Sequence, residues 1–407
     1  MHVAQAKVVG GGSSINGGTA LRNAVKDCEE WVLLGNDAWG WDSVEPVYDF
    51  LEKDDLRPTK GFHPLVRTKI EGSGLIQQAF VAGAIEAGLP WVADLNATGA
   101  EGTGASPVCR NGERRISAAN TFIDPIRGRR NFRIQSNAFV DRVLFSDRRA
   151  TGVKLVDGSQ ISASCEVILA ASALFSPAIL QRSGVGPSAL LESLAIPVLQ
   201  DLPVGHNLSD HPCIPPGASS RPQRSLGGSE TGHVAGIGCN LNKPTSHGSV
   251  QIGSKDPLQQ PVVRPNYLTT AEDRTSAREI VRLGYKIMLS RSMQSRLSLP
   301  LGITDDTIRS DNLLDKWIQS QYSSTYHFCC SCRMAARESG GVVDQSGRVY
   351  GVKGLRVVDA SVIPTVPAAN TMWTTMMFAE RIGRSLRDGV DVGPPLRSGR
   401  SEGLSRL

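Results

Sequence analysis

Gly354-Leu355-Arg356-Val357-Val358-Asp359-Ala360-Ser361-Val362-Ile363-Pro364 reads as a buried strand that ends in a carboxylate and breaks into a turn. Asn370-Thr371 then opens a stretch, to Leu386, with the spacing of a helix. A strand ending in Asp, a turn and a helix N-terminus is how doubly wound α/β folds offer a carboxylate and free amides to a ligand. Upstream, Glu166-Val167-Ile168-Leu169-Ala170-Ala171 is almost wholly apolar, which predicts the buried middle of a parallel sheet. It leads into a helix expected to open at Ser176-Pro177, where proline's missing N–H costs nothing.

Working outward, Ala6-Lys7-Val8-Val9 reads as a short strand entering Gly10-Gly11-Gly12-Ser13-Ser14-Ile15-Asn16-Gly17-Gly18. Glycines let backbone N–H groups approach an anion, and Ser13 and Ser14 add hydroxyls. A helix is expected after Asp42 or Ser43, with Glu45 in its first turn, and another from Ser73 to Gly88. Phe132–Gln135, Ala138–Phe145 and Gly152–Val156 alternate like strands. Residues 213–233 are rich in Pro, Gly, Ser and Arg and read as a loop, Gly248–Ile252 as a strand, and Ala271 to about Ser290 as a helix.

At 407 residues the chain has room for two or three domains. With 40% hydrophobic and 20% charged residues, it falls outside the disordered, collagenous and transmembrane classes. Its 44 basic and 39 acidic residues are dispersed, which argues against a nucleic-acid groove. Eight scattered cysteines do not form a disulfide framework. The first residues lack a signal peptide's apolar run, so the expected location is cytoplasmic by default.

Several motifs give way to plainer readings. Gly184-Val185-Gly186-Pro187-Ser188-Ala189 spells a dinucleotide fingerprint but follows a helix, so a helix cap and turn is expected. Gly399-Arg400-Ser401-Glu402-Gly403 spells a nucleophile elbow without a strand before it. His206, Asp210 and His211 lack a matching ligand cluster and read as turn capping, and Cys329, Cys330 and Cys332 as buried thiols, so no metal site is expected. Two signals remain: the Gly10–Gly18 loop, and His327 together with the 358–370 segment.

In order along the chain, these segments resemble the glucose-methanol-choline (GMC) family of flavin oxidoreductases. Lys7–Gly17 is similar to the family's first signature, followed by Glu30-Trp31 and Gly35-Asn36-Asp37-Ala38-Trp39-Gly40-Trp41. Ser176–Pro187 is similar to the second, and Asp201–Pro212 to the next characteristic block. Gly248-Ser249-Val250, Asp256-Pro257 and the stretch from His327 to Ile382 complete the resemblance, which covers nearly the whole chain.

The resemblance implies an FAD enzyme that oxidises an alcohol, with hydride passing to flavin N5. It implies His327 as the base that takes the hydroxyl proton and Asn370 as the hydrogen-bond donor to the substrate oxygen. Imidazole, with a pKa near ~6.5, suits the first role, whereas asparagine can donate but not accept the proton. The implied FAD contacts are Gly11, Gly12, Ser13, Asn16 and Gly17 at the pyrophosphate and flavin edge, and Val140 beside adenine. Asp359 and Ala360 are implied at the pyrophosphate and ribityl chain, and Asn370 with Thr371 at the pyrimidine end. Expected partners are a small-molecule alcohol and an electron acceptor, oxygen or a quinone, with neither nucleic acid nor a membrane span.

The sequence departs from the family pattern in places. The family's opening βαβ unit with G-x-G-x-x-G has no counterpart, and the stretch between Pro212 and Gly248 is short for the family's substrate-covering sheet. His327-Phe328-Cys329-Cys330-Ser331-Cys332-Arg333-Met334-Ala335 stands where the family has His-Pro-x-Gly-Thr-Cys-Arg-Met-Gly, and Ser172 stands at a position that is usually glycine. The expected architecture is therefore α/β, an incomplete doubly wound FAD-binding domain interleaved with a shortened antiparallel-sheet substrate domain. Its parts are 1–205 for the first FAD-binding part, 206–339 for the substrate domain, 340–387 for the second FAD-binding part and 388–407 for a disordered tail. The alternative is an inactive remnant or interaction protein unable to hold FAD, with a gene mis-read at its start and middle as a third possibility.

Overall fold

The computed structural model describes residues 3–57, 59–220 and 234–393. Its helices are α1 (Val25–Leu33), α2 (Trp41–Leu51), α3 (Leu75–Glu86), α4 (Ser172–Arg182), α5 (Ser188–Ser193), α6 (Ala271–Met288), α7 (Arg291–Gln294), α8 (Asp305–Arg309), α9 (Asp311–Gln321) and α10 (Thr371–Asp388). One sheet runs β1 (Glu52–Asp54), β2 (His63–Arg67), β3 (Pro107–Asn111) and β4 (Arg114–Arg115). A second, antiparallel throughout, runs β5 (Val140–Ser146), β6 (Arg149–Leu155) and β7 (Gln160–Ser162). Strand β8 (Val167–Leu169) pairs in parallel with Leu355–Val357. Short antiparallel pairings also occur, such as Pro212–Ile214 with both Cys239–Asn240 and Ser323–Ser324.

The fold is mixed α/β as expected, but the sequence misplaced several elements. Ala6–Val9 is not a strand, and neither is Phe132–Gln135: among the described residues neither segment pairs with a sheet, and Val8 stays exposed. β8 is not the middle of a wide sheet; among the described residues it has one neighbouring strand, and Ile168 is 47% exposed. Part of the expected 213–233 loop pairs as strands, at Pro212–Ile214 and Gly217–Ser220, while 221–233 lies outside the described residues. At the other end Asp388 closes α10, and Val392 N–H donates to Ser346 Oγ (3.1 Å). Residues 394–407, with the elbow-like motif, lie outside the described residues.

Helix α10 forms the central pillar. Thr371, Thr374 and Phe378 recur at helical spacing with Trp373, Met377 and Ile382, and all are buried. Phe378 stacks on Trp39 (centroids 4.0 Å, 15°) and meets Trp31 edge-on (5.3 Å, 63°), burial that dominates the local energetics. Trp373 Nε1 donates to Glu52 Oε1 at 2.9 Å, and the fully buried Glu52 is neutralised by Arg22. Gly389 ends the helix in the left-handed conformation (φ 65°), which glycine adopts without a Cβ penalty.

Helix α4 begins at Ser172, one turn earlier than the sequence suggests, so Pro177 lies inside it. A proline there withholds the N–H that the carbonyl four residues back should receive. That carbonyl belongs to Ala173, and Ser331 Oγ donates to it instead at 2.6 Å. The swap of proline into a buried helix is thus compensated by a serine 158 residues away.

Two of the departures from family glycines are backbone matters. Ser172 has φ 82° and Cys330 φ 69°, where a Cβ costs about 1–2 kcal/mol. Replacement by Gly is therefore expected to leave the protein about 1 kcal/mol more stable than replacement by Ala at the same position, the reverse of the usual helix-interior order. Urea midpoints of Cys330→Gly against Cys330→Ala, and of Ser172→Gly against Ser172→Ala, check this; Ala equal to or above Gly would remove the strain argument.

His63 lies fully buried between Phe122 and Trp373, its Nδ1 shared with Thr121 Oγ1 (2.8 Å) and its Nε2 without a partner. Burial pushes its imidazole down to about 4. The unfolded chain takes up this proton near pH ~6.5 and the folded one near 4, so stability is full above pH 6.5 and declines as the pH falls. The expected slope from this residue is about 1.4 kcal/mol per pH unit between those limits, measured by urea unfolding across pH, and His63→Gln should remove it.

Candidate active site

Residues 325–334 lie between two stretches of chain and bond to both. On one side Thr325 N–H donates to His211 O (3.2 Å), Cys329 and Ser209 exchange N–H···O bonds (2.9 and 3.1 Å), and Gly205 N–H donates to Ser331 O (2.7 Å). On the other, Cys330, Cys332 and Met334 N–H groups donate to the carbonyls of Ala360, Ser361 and Val362 (3.2, 2.9 and 3.0 Å). This double seam brings His327 beside both the 206–212 block and the turn that leads to α10.

His327 Nε2 lies 3.1 Å from Asn370 Nδ2, so the two residues that the resemblance pairs do meet. On its other edge, His327 Nδ1 is 3.0 Å from His211 Nδ1 and 2.9 Å from Thr325 Oγ1. His211 is buried, and its Nε2 is 2.9 Å from the Pro367 carbonyl. Burial lowers the His327 imidazole below its ordinary value, with the Asp210 carboxylate pulling the other way. Burial, then the facing His327, push His211 down to about 3. Both rings are neutral at neutral pH.

Asp210 anchors the corner. Its Oδ1 accepts from His327 N–H (2.7 Å), and its Oδ2 accepts from Ser324 Oγ (2.5 Å) and from Tyr267 O–H. Asp210 and His211 therefore do more than the turn capping that the sequence suggested. Among the described residues no group of three or more potential ligands could hold a metal ion. Lys243 Nζ binds Asp27 (3.0 Å), Glu30 (2.6 Å) and the Val366 carbonyl (2.9 Å), while Asp27 accepts from Ala368 N–H (2.9 Å). The 366–368 turn that precedes Asn370 is thus held by an ion pair.

The residues present fit a phosphate-bearing cofactor. Gly10 (φ 93°) and Gly11 (φ 55°) turn the chain into a 3-10 turn, Gly11–Ser14, and a β-carbon built at Gly11 or Gly12 would meet no atom within 4 Å. That open face is where backbone N–H groups can approach an anion. Asn16 Nδ2 reaches Met372 Sδ (2.9 Å), joining the loop to the first turn of α10. No side chain caps that helix, whose N-terminal amides and dipole favour an acceptor. Arg115, which the sequence reading did not single out, donates to Ser13 O (3.3 Å) and Asn16 Oδ1 (3.2 Å) and braces the loop.

Other expected contacts have occupations of their own. Ser13 Oγ donates to Gly10 O (2.6 Å) and accepts from Ala118 N–H (2.9 Å), and Ser14 Oγ donates to Val9 O (3.0 Å). The Asp359 carboxylate accepts from Ser361 N–H (2.8 Å), Ser361 Oγ (2.5 Å), Ser172 N–H (3.0 Å) and Ser176 Oγ (2.5 Å). Burial pushes this carboxyl up, while the Ser176, Ser361 and Ser172 donors pull it the other way. Ala360 receives the Cys330 N–H, and Val140 opens β5 against the core. Gly17 has only Thr19 Oγ1 near its would-be β-carbon, at 4.0 Å, and Thr371 is buried at the start of α10.

Family models described as GMC oxidoreductase match residues 1–213 and 244–379. The oxygen-dependent choline dehydrogenase of Pseudomonas putida is 34% identical over 461 aligned positions, covering 95% of this chain and 81% of the relative, and that of Pseudomonas fluorescens is 33% identical with 95% and 80% covered. Pyridoxine 4-oxidase from Mesorbium loti superposes with a TM-score of 0.86 at 25% identity, covering 95% of this chain and 85% of that one. A formate oxidase at 20% identity shares the fold, with a TM-score of 0.84 over 95% of this chain and 84% of the other. With both family models matched across most of its length, the chain belongs to the GMC oxidoreductase family and is an FAD-dependent oxidoreductase.

Proposed function

We propose that the chain oxidises an alcohol, with His327 Nε2 accepting the hydroxyl proton and the Asn370 amide holding the substrate oxygen. The observation that carries this reading is the 3.1 Å approach of Asn370 Nδ2 to His327 Nε2, with Nδ1 engaged elsewhere. Bound FAD supplies the hydride acceptor, at N5 of its ring. His327 supplies a base that burial keeps neutral, and once protonated it faces the field of Asp210, which steadies the imidazolium. Asn370 carries no charge and cannot compete for the proton.

In this reading the FAD contacts are Gly11, Gly12, Ser13, Asn16, Gly17, Val140, Asp359, Ala360, Asn370 and Thr371. Ser13 and Asp359 contribute through their backbone, because their side chains are engaged within the protein. The parts 1–205, 206–339 and 340–387 and a shortened substrate domain belong to the same proposal. Supporting it, the choline dehydrogenase alignment runs to 461 positions, more than this chain's 407 residues can fill. The names of the relatives make choline and pyridoxine the first alcohols to try, with oxygen and a quinone as acceptors.

The protein is expected to purify yellow, and an alcohol substrate should bleach the flavin anaerobically. His327→Gln should slow that bleaching roughly 10²–10⁴-fold. In the wild type the rate should fall as the pH drops through a value below 6.5, because the protonated ring cannot accept. Undiminished bleaching by His327→Gln would sink the assignment of the base. A β-carbon at Gly12 meets no atom of the protein within 4 Å, so Gly12→Ala should melt like the flavin-free wild type yet retain less FAD. Full flavin content in that variant would remove Gly12 from the cofactor cradle.

A further inference from the structure

We propose that His211 is a positioning residue that sets the tautomer of His327, leaving the lone pair on Nε2, where the proton must be received. The inference rests on the reading of His327 as the base. A carbonyl oxygen only accepts, so His211 Nε2, 2.9 Å from Pro367 O, carries the hydrogen. In the neutral ring Nδ1 is then an acceptor, and it faces His327 Nδ1 at 3.0 Å. One proton must lie between those nitrogens, and it can come only from His327. Thr325 Oγ1 completes the arrangement: its hydrogen goes to His211 O (3.0 Å), leaving a lone pair toward the same His327 Nδ1–H (2.9 Å).

The other tautomer of His327 would set two nitrogen lone pairs against each other at 3.0 Å and turn an N–H toward the Asn370 amide nitrogen. His211 is suited to the task because it does not itself titrate near neutrality, being buried and facing a second ring. Its Pro367 acceptor is fixed in turn by Lys243 and Asp27 through the 366–368 turn, and the backbone of Asn242 also hydrogen-bonds the ring. His211 touches no substrate in this arrangement. It acts through His327 alone.

The test reads the proton directly. Long-range ¹H–¹⁵N correlation spectra of histidine-labelled protein, assigned with His327→Gln, report which His327 nitrogen is protonated. The wild type at pH 7.5 is expected to show Nδ1–H and a bare Nε2. His211→Asn, which keeps an acceptor near Nδ1, should preserve that pattern, whereas His211→Leu should populate Nε2–H. Anaerobic flavin bleaching by choline, pyridoxine or benzyl alcohol, whichever reduces the wild type, should fall roughly 10²-fold in His211→Leu and within about threefold of wild type in His211→Asn. A wild-type His327 protonated on Nε2 overturns the inference, as does an unchanged tautomer in a folded His211→Leu. Should His211→Leu fail to fold, the wild-type and His211→Asn spectra still decide. If His327→Gln bleaches normally, the base reading fails while the spectra judge the tautomer independently.

Discussion

Everything at the site depends on the seam that residues 325–334 make with the chain on either side. Its backbone groups are buried, so each unmade bond would cost about 1–3 kcal/mol, and the seam tolerates few gaps. The seam fixes where His327 stands relative to His211 and, through Ala360, Ser361 and Val362, relative to the turn that launches α10. Ser331 extends the same segment into a third element by serving the carbonyl that Pro177 leaves unpaired. This segment is thereby part of the core, with Phe328, Cys329, Cys330, Ser331, Cys332 and Met334 all buried.

Charge is handled in a consistent way around this seam. Asp210, Asp359 and Asp27 are all buried carboxylates, and each is surrounded by donors from distant parts of the chain. A buried carboxylate without such partners would be costly, so each fixes the geometry of its donors. Asp210 holds the His327 backbone, Asp359 ties the start of α4 to the end of the Leu355–Val357 strand, and Asp27 with Lys243 holds the turn before Asn370. His327 and Asn370 sit among these anchors.

Much of the site was legible in the sequence because the resemblance supplied it. The Gly10–Gly18 loop, His327 and Asn370 stand in recognisable order, and the structure brings His327 and Asn370 together. His211 was not legible. It is 116 residues from His327 in sequence, and periodicity carries no information about a seam between segments that distant. A signal existed in the adjacency of Asp210 and His211 within the family-like block, but local capping explained that pair equally well. The strands expected at Ala6–Val9 and Phe132–Gln135 failed for a related reason, since β-propensity becomes a strand only when a partner edge is present. Ser172 and Cys330 were visible as departures from glycine, yet their left-handed φ is a property of the folded backbone, not of the letters.

The aromatic contact of Phe378 with Trp31 and Trp39 has a consequence for synthesis. The two halves of that contact are separated by most of the chain, and Trp373 likewise waits for Glu52. At ~5–20 residues per second, Trp39 emerges from the ribosome roughly 20–70 s before Phe378 is made. Throughout that interval Trp31 and Trp39 have early neighbours such as Val44, Tyr48 and Leu51 but lack the Phe378 ring. This part of the core is therefore closed only once α10 has been made.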